Sequence, residues 1–461
     1  MSQNSLLSDL RGLIKGEVID SPSELAEISL DFGKIMQKTP RVAVRPRSAQ
    51  EVARVLKYAY EHDIPITPRA GGNSFAGQSL NEGGMSIDLR QLRGIGPVNV
   101  EAGWFEAAAG AMWKEVAEAT LPLGVLPPVF PSYLRTTVGG THSAAGFGSS
   151  TFSRGTQIEH CLELEVVLYD GEIVRCSADQ NAELFSHVLG GYGQFGIITR
   201  VRHRLRRFLP HTRTYFLLYD EVGALLEDQV RIMEERRFDY IDSSIQSCYH
   251  GPRVVDGRQK SLFSFSYPMN VTLEAQSADA IDDARVLEGL KFRRWIHTED
   301  LSMPDFTLIG RADERPFSPK VAHVFTDVLV PWSSLERFIK ATEEHIYPNI
   351  VHVEHMVLWP MTRAVLTRPM LRVPNELMFT GFGLYSRVPQ AYGQVTLAAA
   401  QGFVDLAMRM GATYYLTGSV RLDEPRLAQQ FGDAWPAIQE ARRKYDPKGL
   451  LNRSFFPSLS T

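Results

Sequence analysis

Arg69-Ala70-Gly71-Gly72-Asn73-Ser74-Phe75-Ala76-Gly77-Gln78 is the stretch on which the reading of this chain turns. It follows an extended segment, Pro65-Ile66-Thr67-Pro68, and leads towards another, Met85-Ser86-Ile87-Asp88-Leu89. Glycine permits positive φ and close approach, so successive backbone N–H groups can turn towards one anion. A second glycine-rich stretch, Thr137-Val138-Gly139-Gly140-Thr141-His142-Ser143-Ala144-Ala145-Gly146, repeats the composition. One such concavity would be an ordinary turn. Two in one domain point to a long ligand carrying a pyrophosphate.

Outward from these stretches the chain reads as helices alternating with short strands. Ser48-Ala49-Gln50-Glu51 has the spacing of a capping box, and Val52, Val55, Leu56 and Ala59 then recur at helical period. Residues 111–119 read as a helix. Leu162 to Leu168 alternates apolar and polar residues, Asp170-Gly171 marks a hairpin turn, and Ile173-Val174-Arg175-Cys176 returns. A short helix is expected over 181–189 and a strand over 197–205. Beyond residue 209 glycine thins out. Helical patterns appear at 221–235, 275–290, 333–345 and 391–410, with strand-like runs at 321–331 and 377–385. Residues 435–452 read as an amphipathic helix ending at Tyr445-Asp446-Pro447-Lys448-Gly449. The expected class is α+β.

Bulk composition excludes several functions. The 461 residues are 44% hydrophobic and 22% charged, as in ordinary globular proteins. Net charge is −4 with both signs mixed, so no nucleic-acid partner is expected. No apolar run is long enough to span a bilayer and the N-terminus lacks a secretory pattern, so no membrane partner is expected. Cys161, Cys176 and Cys248 are odd in number and lack metal spacing; reduced thiols and a cytoplasmic location follow. No metal is expected. His352 and His355 resemble a helical metal pair, but Val351, Val353, Met356 and Leu358 read as strand, which sends the two to opposite faces.

Gly191-Tyr192-Gly193-Gln194-Phe195-Gly196 matches G-x-G-x-x-G. The pattern marks a dinucleotide site only when a strand precedes it and a helix follows. Here the expected order is helix, glycines, strand, so no helix N-terminus would face a pyrophosphate. A tight helix-to-strand turn is the reading.

Taken together, the segments resemble the vanillyl-alcohol-oxidase-type flavoproteins with a PCMH-type FAD domain, and within them the cytokinin dehydrogenases. The resemblance is carried by the 69–78 stretch, Tyr133-Leu134-Arg135-Thr136-Thr137-Val138-Gly139-Gly140-Thr141, Leu189-Gly190-Gly191-Tyr192-Gly193-Gln194-Phe195-Gly196-Ile197-Ile198-Thr199-Arg200 and Lys444-Tyr445-Asp446-Pro447-Lys448-Gly449. More loosely, Asp239-Tyr240-Ile241-Asp242-Ser243 and Leu358-Trp359-Pro360-Met361-Thr362-Arg363 are similar too. It implies a two-domain PCMH-type flavoenzyme: residues 1–208 binding FAD, 209–420 forming a sheet-plus-helices substrate domain, and 421–461 completing the FAD domain. By position, Ala70, Gly71, Gly72, Asn73, Ser74 and Gln78 would hold the pyrophosphate and flavin edge. Thr137, Ser143 and Phe147 would line the second stretch, Ile198 the adenine side, and Asn452 would reach the flavin from the tail.

Two positions depart from the family pattern. Asn73 stands where the family has a histidine bonded covalently to flavin. Asparagine cannot form that bond, so dissociable FAD of lower potential is expected. Ser132 stands where the family has the aspartate that takes the substrate amine proton, and a serine hydroxyl is no unaided base near neutrality. Replacement bases come from the middle of the chain: Asp242, at a family glutamate, and Asp327, at a family asparagine. Either could instead be a surface or structural carboxylate. His142 is either a base near the cofactor or a hydrogen-bonded loop histidine, and the second is the plainer reading. Tyr133 and Tyr415 could lie near the flavin or simply pack. The functional expectation is hydride transfer from a small amine- or alcohol-bearing substrate to flavin N5, with oxygen or another acceptor reoxidising it. The alternatives are cytokinin-dehydrogenase-like secondary amine oxidation with a substituted base, and a flavin-binding protein without redox turnover.

Overall fold

Ser48 opens the helix Ala49–Glu61 by accepting the Glu51 amide at 3.2 Å, and that helix buries Val52, Val55, Leu56 and Ala59. The Glu51 carboxylate does not close the reciprocal box; it accepts the amides of Arg47 and Lys15 instead. The structure is a computed structural model that describes residues 2–255, 257–308, 320–346, 353 and 355–453. His352 lies outside these residues. Among the described residues, no helix is long and apolar enough to cross a membrane.

The helix Ala49–Glu61 links Val42–Arg45 to Ile66–Arg69, and both strands run parallel to Met85–Asp88, which lies between them. Glu17–Ile19 completes this four-stranded sheet antiparallel to Val42–Arg45. A five-stranded antiparallel sheet follows, in the order Ile95–Asn99, Trp104–Ala108, Ile197–Arg204, Cys161–Val167 and Ile173–Ser177. The chain returns at its far end: Leu451 pairs in parallel with Ile66, and the Asn452 amide donates to the Ile66 carbonyl at 2.7 Å.

Residues 211–414 build an eight-stranded antiparallel sheet. Its order is Arg294–Ser302, His211–Tyr219, Arg258–Ala275, Tyr240–Val255, His355–Thr362, Met378–Pro389, Val321–Pro331 and Thr413–Tyr414. The helices Trp332–Ala341 and Gly393–Arg409 pack on it through Phe338, Phe382 and Phe403, whose ring centroids lie 5.3–5.5 Å apart. Each such ring, fully buried, contributes about 1.5–3 kcal/mol through the water it sheds.

Two segments differ from the sequence reading. The second glycine stretch is not an open loop: Val138–Ala144 is a short helix. Gly139 allows it to lie against the strand Trp104–Ala108 and its continuation, where a β-carbon would fall 2.6 Å from that of Ala109. The expected helix at 275–290 shrinks to Asp283–Leu287, capped by Asp282, because Ala275 is still hydrogen-bonded in a strand opposite His211. The glycines 191–196 lie between the helix Ala182–Val188 and the strand Ile197–Arg204, in the helix-to-strand order expected.

Candidate active site

One large cavity of about 500 Å³ runs between the glycine stretches and the eight-stranded sheet, within the size range of small-molecule sites. Ala70, Gly71, Gly72, Asn73, Ser74 and Gln78 line it, as do Thr137, Ser143, Phe147, Ile198 and Asn452. Ser132 and Asp327 line it too, with Tyr133 and Tyr415. Asp242 does not. Along the strand Tyr240–Val255, Ile241, Ser243 and Ile245 are buried, whereas Asp242 lies on the exposed face. Of the two readings of Asp242, candidate base or surface carboxylate, its place on the exposed face matches the second.

The 71–78 loop is held from both sides. Phe32 donates its amide to the Ser74 carbonyl at 3.0 Å, and Phe75 donates to Thr417 at 3.2 Å. Gln78 spends its side chain on the protein: Nε2 donates to the Leu416 carbonyl at 2.6 Å and Oε1 accepts the Ala76 amide at 2.8 Å. It fixes the loop's shape. The two glycine stretches converge, since a β-carbon on Gly71 would lie 3.6 Å from Thr137 Cγ2. The C-terminal end of the helix Val138–Ala144 is closed by the 190–192 turn, where Gly190 and Tyr192 donate to His142 and Ser143 at 2.9 Å each. Gly193 and Gly196 of the G-x-G-x-x-G segment themselves line the cavity.

The tail brings Asn452 into the same cavity. Its Nδ2 donates to the Tyr192 carbonyl at 2.7 Å, and Gln194 donates to the Leu451 and Asn452 carbonyls. Tyr192 and Asn452 both hold positive φ, +51° and +46°, a conformation that non-glycine residues keep where the surroundings enforce it. Asn452 Oδ1 is buried and has no partner among the described residues, an acceptor aimed at a ligand donor.

The opposite end is aromatic. Phe75, Phe325 and Tyr385 stack in series, with centroids 4.6 Å apart and planes 28° off parallel at each step. Trp359 lies 6.4 Å from Tyr385, and Phe147 meets Tyr415 edge-on at 4.5 Å. Asp327 sits among these rings, 9% exposed, and accepts the Tyr385 hydroxyl at 2.7 Å. Burial pushes its carboxyl up to about 7, and the tyrosine hydrogen bond only partly opposes this. Gly383 faces Asp327 across the strand pair, and a β-carbon there would fall 2.6 Å from Oδ1. The glycine is what lets the carboxylate lie down onto its neighbour strand. Among the described residues, Asp327 is the one carboxylate lining the cavity.

His142 stays outside the cavity. It is fully buried, its Nδ1 lies 2.8 Å from the Val138 carbonyl, and burial lowers it to about 4, so it is neutral. Tyr385 and Phe32 carry no local signal that marks them as site residues, and nothing near Phe325 in the chain sets it beside Tyr385. Phe325 and Tyr385, 60 positions apart in sequence, meet only through the register of Val321–Pro331 against Met378–Pro389.

A cavity walled by a glycine-rich loop at one end and an aromatic-encased carboxylate at the other is the site of a cofactor-dependent oxidoreductase. The fit to FAD is chemical. The 70–74 backbone and the Arg69 guanidinium complement a diphosphate, the buried Asn452 Oδ1 complements a donor-bearing ligand, and among the described residues no carboxylate lines the glycine end. A family model described as an FAD binding domain matches residues 40–177. Cytokinin dehydrogenase 6 of Oryza sativa subsp. japonica is 31% identical over 94% of this chain and 90% of its own length. An uncharacterized oxidoreductase in the fasciation locus of Rhodococcoides fascians is 28% identical over 93% of this chain and 95% of its own. The crystal structure of 6-hydroxy-D-nicotine oxidase from Arthrobacter nicotinovorans superposes with a TM-score of 0.72, covering 97% of this chain and 98% of that one; at 20% identity this is a likeness of fold. The chain belongs to the FAD-dependent oxidoreductase family of the cytokinin dehydrogenases, in the PCMH-type fold, and FAD is its cofactor.

Proposed function

We propose that the protein oxidises a small organic substrate bearing an amine or alcohol, heteroaromatic bodies included, with Asp327 as proton acceptor. The observation that carries this is the carboxylate of Asp327, buried among Phe325, Trp359, Tyr385 and Tyr415 in a cavity otherwise lined by neutral groups and arginine. A base whose pKa lies near the working pH combines availability with driving force. FAD, when bound, supplies the hydride acceptor, N5 taking hydride from a C–H next to nitrogen or oxygen, with oxygen or another acceptor restoring it. The aromatic wall orients a flat substrate and excludes water. Ser132 lines the cavity and offers a hydroxyl to hydrogen-bond the substrate, while Asp327 takes the proton from nitrogen or oxygen.

In this reading residues 1–208 and 421–461 hold the cofactor and 209–420 cover the substrate; the pairing of Leu451 with Ile66 supports it. A cytoplasmic location belongs to the same reading, supported by three cysteines that are all unpaired. A tailoring step in specialised metabolism suits a scaffold that has moved its acid–base residue.

The test is anaerobic mixing of the FAD-loaded protein with a panel of secondary amines, cyclic amines and benzylic or allylic alcohols. Bleaching of the flavin's visible absorbance by a member of the panel is expected. A flavin that none of them reduces would favour a cofactor-binding protein without turnover.

Asn73 carries a second expectation. With an amide in place of a nucleophilic ring, acid denaturation followed by ultrafiltration should put all the FAD in the filtrate. Yellow colour retained with the chain would overturn the dissociable reading.

A further inference from the structure

Arg69 ends the strand Ile66–Arg69 and turns its side chain beneath the glycine loop. A β-carbon placed on Gly72 would lie 2.4 Å from Arg69 Nη2 and 2.5 Å from Cζ, so the guanidinium is pressed directly against the loop backbone. It is 9% exposed and lines the cavity. Its hydrogen bonds go to neutral acceptors: Nη1 to Ser79 Oγ at 2.9 Å and Nη2 to the Leu30 carbonyl at 3.4 Å. Ser79 Oγ in turn lies 3.3 Å from Ser74 Oγ, which joins Arg69 to the loop's far side.

No carboxylate among the described residues pairs with Arg69. The nearest acids, Asp88 and Asp31, attract the guanidinium through space without forming a salt bridge to it. Asp88 is shared between Arg45 at 2.9 Å and Arg90 at 2.6 Å. Asp31 Oδ1 accepts the amides of Ile35 and Met36 at 2.9 and 3.3 Å, and burial pushes the carboxyl up to about 6. Burial lowers Arg69 to about 10, so the guanidinium is still cationic at neutral pH. A buried guanidinium that meets its nearest carboxylates only through space keeps charge and donors that a bound anion can satisfy.

We propose that Arg69 is the counter-charge of the cofactor diphosphate, acting from beneath the 71–74 loop whose amides contact the phosphates from above. It is a positioning residue: it sets how strongly the loop attracts the anion and takes no part in proton or hydride movement. The proposal rests on the dissociable cofactor of the preceding section, which the denaturation experiment tests separately.

The experiment compares apoprotein carrying Arg69, Arg69→Gln and Arg69→Lys, titrated by fluorescence with FAD and with riboflavin, which has no phosphate. Removing one charged partner of a charge-assisted contact costs about 1.5–3 kcal/mol, so Arg69→Gln should weaken FAD about 10- to 150-fold. Riboflavin affinity should change less than about threefold, within the range of a neutral contact. Arg69→Lys should recover most of the FAD affinity, since it restores the charge though not the fork. The second readout is ionic strength: salt should weaken FAD binding in the parent and do so less in Arg69→Gln. Equal weakening of FAD and riboflavin, or an unchanged salt dependence, would overturn the proposal and leave Arg69 as a structural support of the loop.

Discussion

Asp327→Asn is expected to slow substrate-driven flavin reduction by about 10²- to 10⁴-fold, the range for removing a positioned general base, while the FAD spectrum stays that of the parent. The pH dependence separates this from a packing effect. Burial raises the Asp327 carboxyl from 3.8 to about 7. A base works in its ionised form, so the parent's rate should climb through about pH 7 and level off above it. In Asp327→Asn that limb should vanish. In Tyr385→Phe the limb should instead move to higher pH, because the hydroxyl that stabilises the carboxylate is gone. Stability gives an independent sign. A carboxyl whose folded pKa is raised holds its proton in the native state over a window where the unfolded chain has lost it. Stability from this group therefore falls as pH rises from about 4 to about 7. The Asn variant carries no such charge and should fold at least as well as the parent above pH 7. Stopped-flow reduction of the two proteins across pH decides the matter. A parallel pH profile in the Asn variant would remove Asp327 from the chemistry.

Gly196→Ala is expected to destabilise the protein by about 2–4 kcal/mol, in the class of changes that combine a forbidden backbone conformation with a core clash. Gly196 holds φ at +139°, where an L side chain is strained. A β-carbon there would meet Val166 Cγ1 at 2.6 Å and the Val167 carbonyl at 3.0 Å. Both belong to the strand Cys161–Val167, the partner of Ile197–Arg204, so relief requires moving the sheet. The residue also lines the cavity, and FAD content should fall with the melting temperature. Gly402→Ala is the control. It lies inside the helix Gly393–Arg409 with nothing within 4 Å of the added carbon, and should stabilise by roughly 0.5–1 kcal/mol. Thermal unfolding of both variants checks the pair. If Gly196→Ala melted with the parent, the tight turn would not be a constraint on the cavity wall.

Much of the architecture was legible because its causes are local. A serine accepting the amide three residues on, an Asp-Gly turn between alternating segments, and glycines placed helix-first all act within a few positions. The cofactor end was legible for the same reason: residues 70–74 and Gln78 line the cavity as expected, and glycine itself marks where backbone is bare. The reading failed where a local pattern met a larger sheet. Residues 275–290 have helical spacing, yet Ala275 is claimed by the strand opposite His211, and the ladder wins. Val138–Ala144 looked like a loop because glycine weakens helices, but packing against Ala109 more than offsets about 1 kcal/mol per glycine.

The substrate end belongs to tertiary structure. Asp242 and Asp327 are both acids on strands in the middle of the chain, and nothing in their neighbouring residues ranks them. The face of a strand turns on a register of one residue, and register is fixed by partners far away in sequence. That register sends Asp242 to the exposed face and folds Asp327 under Tyr385, with Gly383 leaving room. The chain alone pointed to a diphosphate-bearing cofactor and to the glycine stretches that line its cavity. Only the folded sheet decided which carboxylate loses its water, and desolvation is what raises that carboxyl towards neutrality.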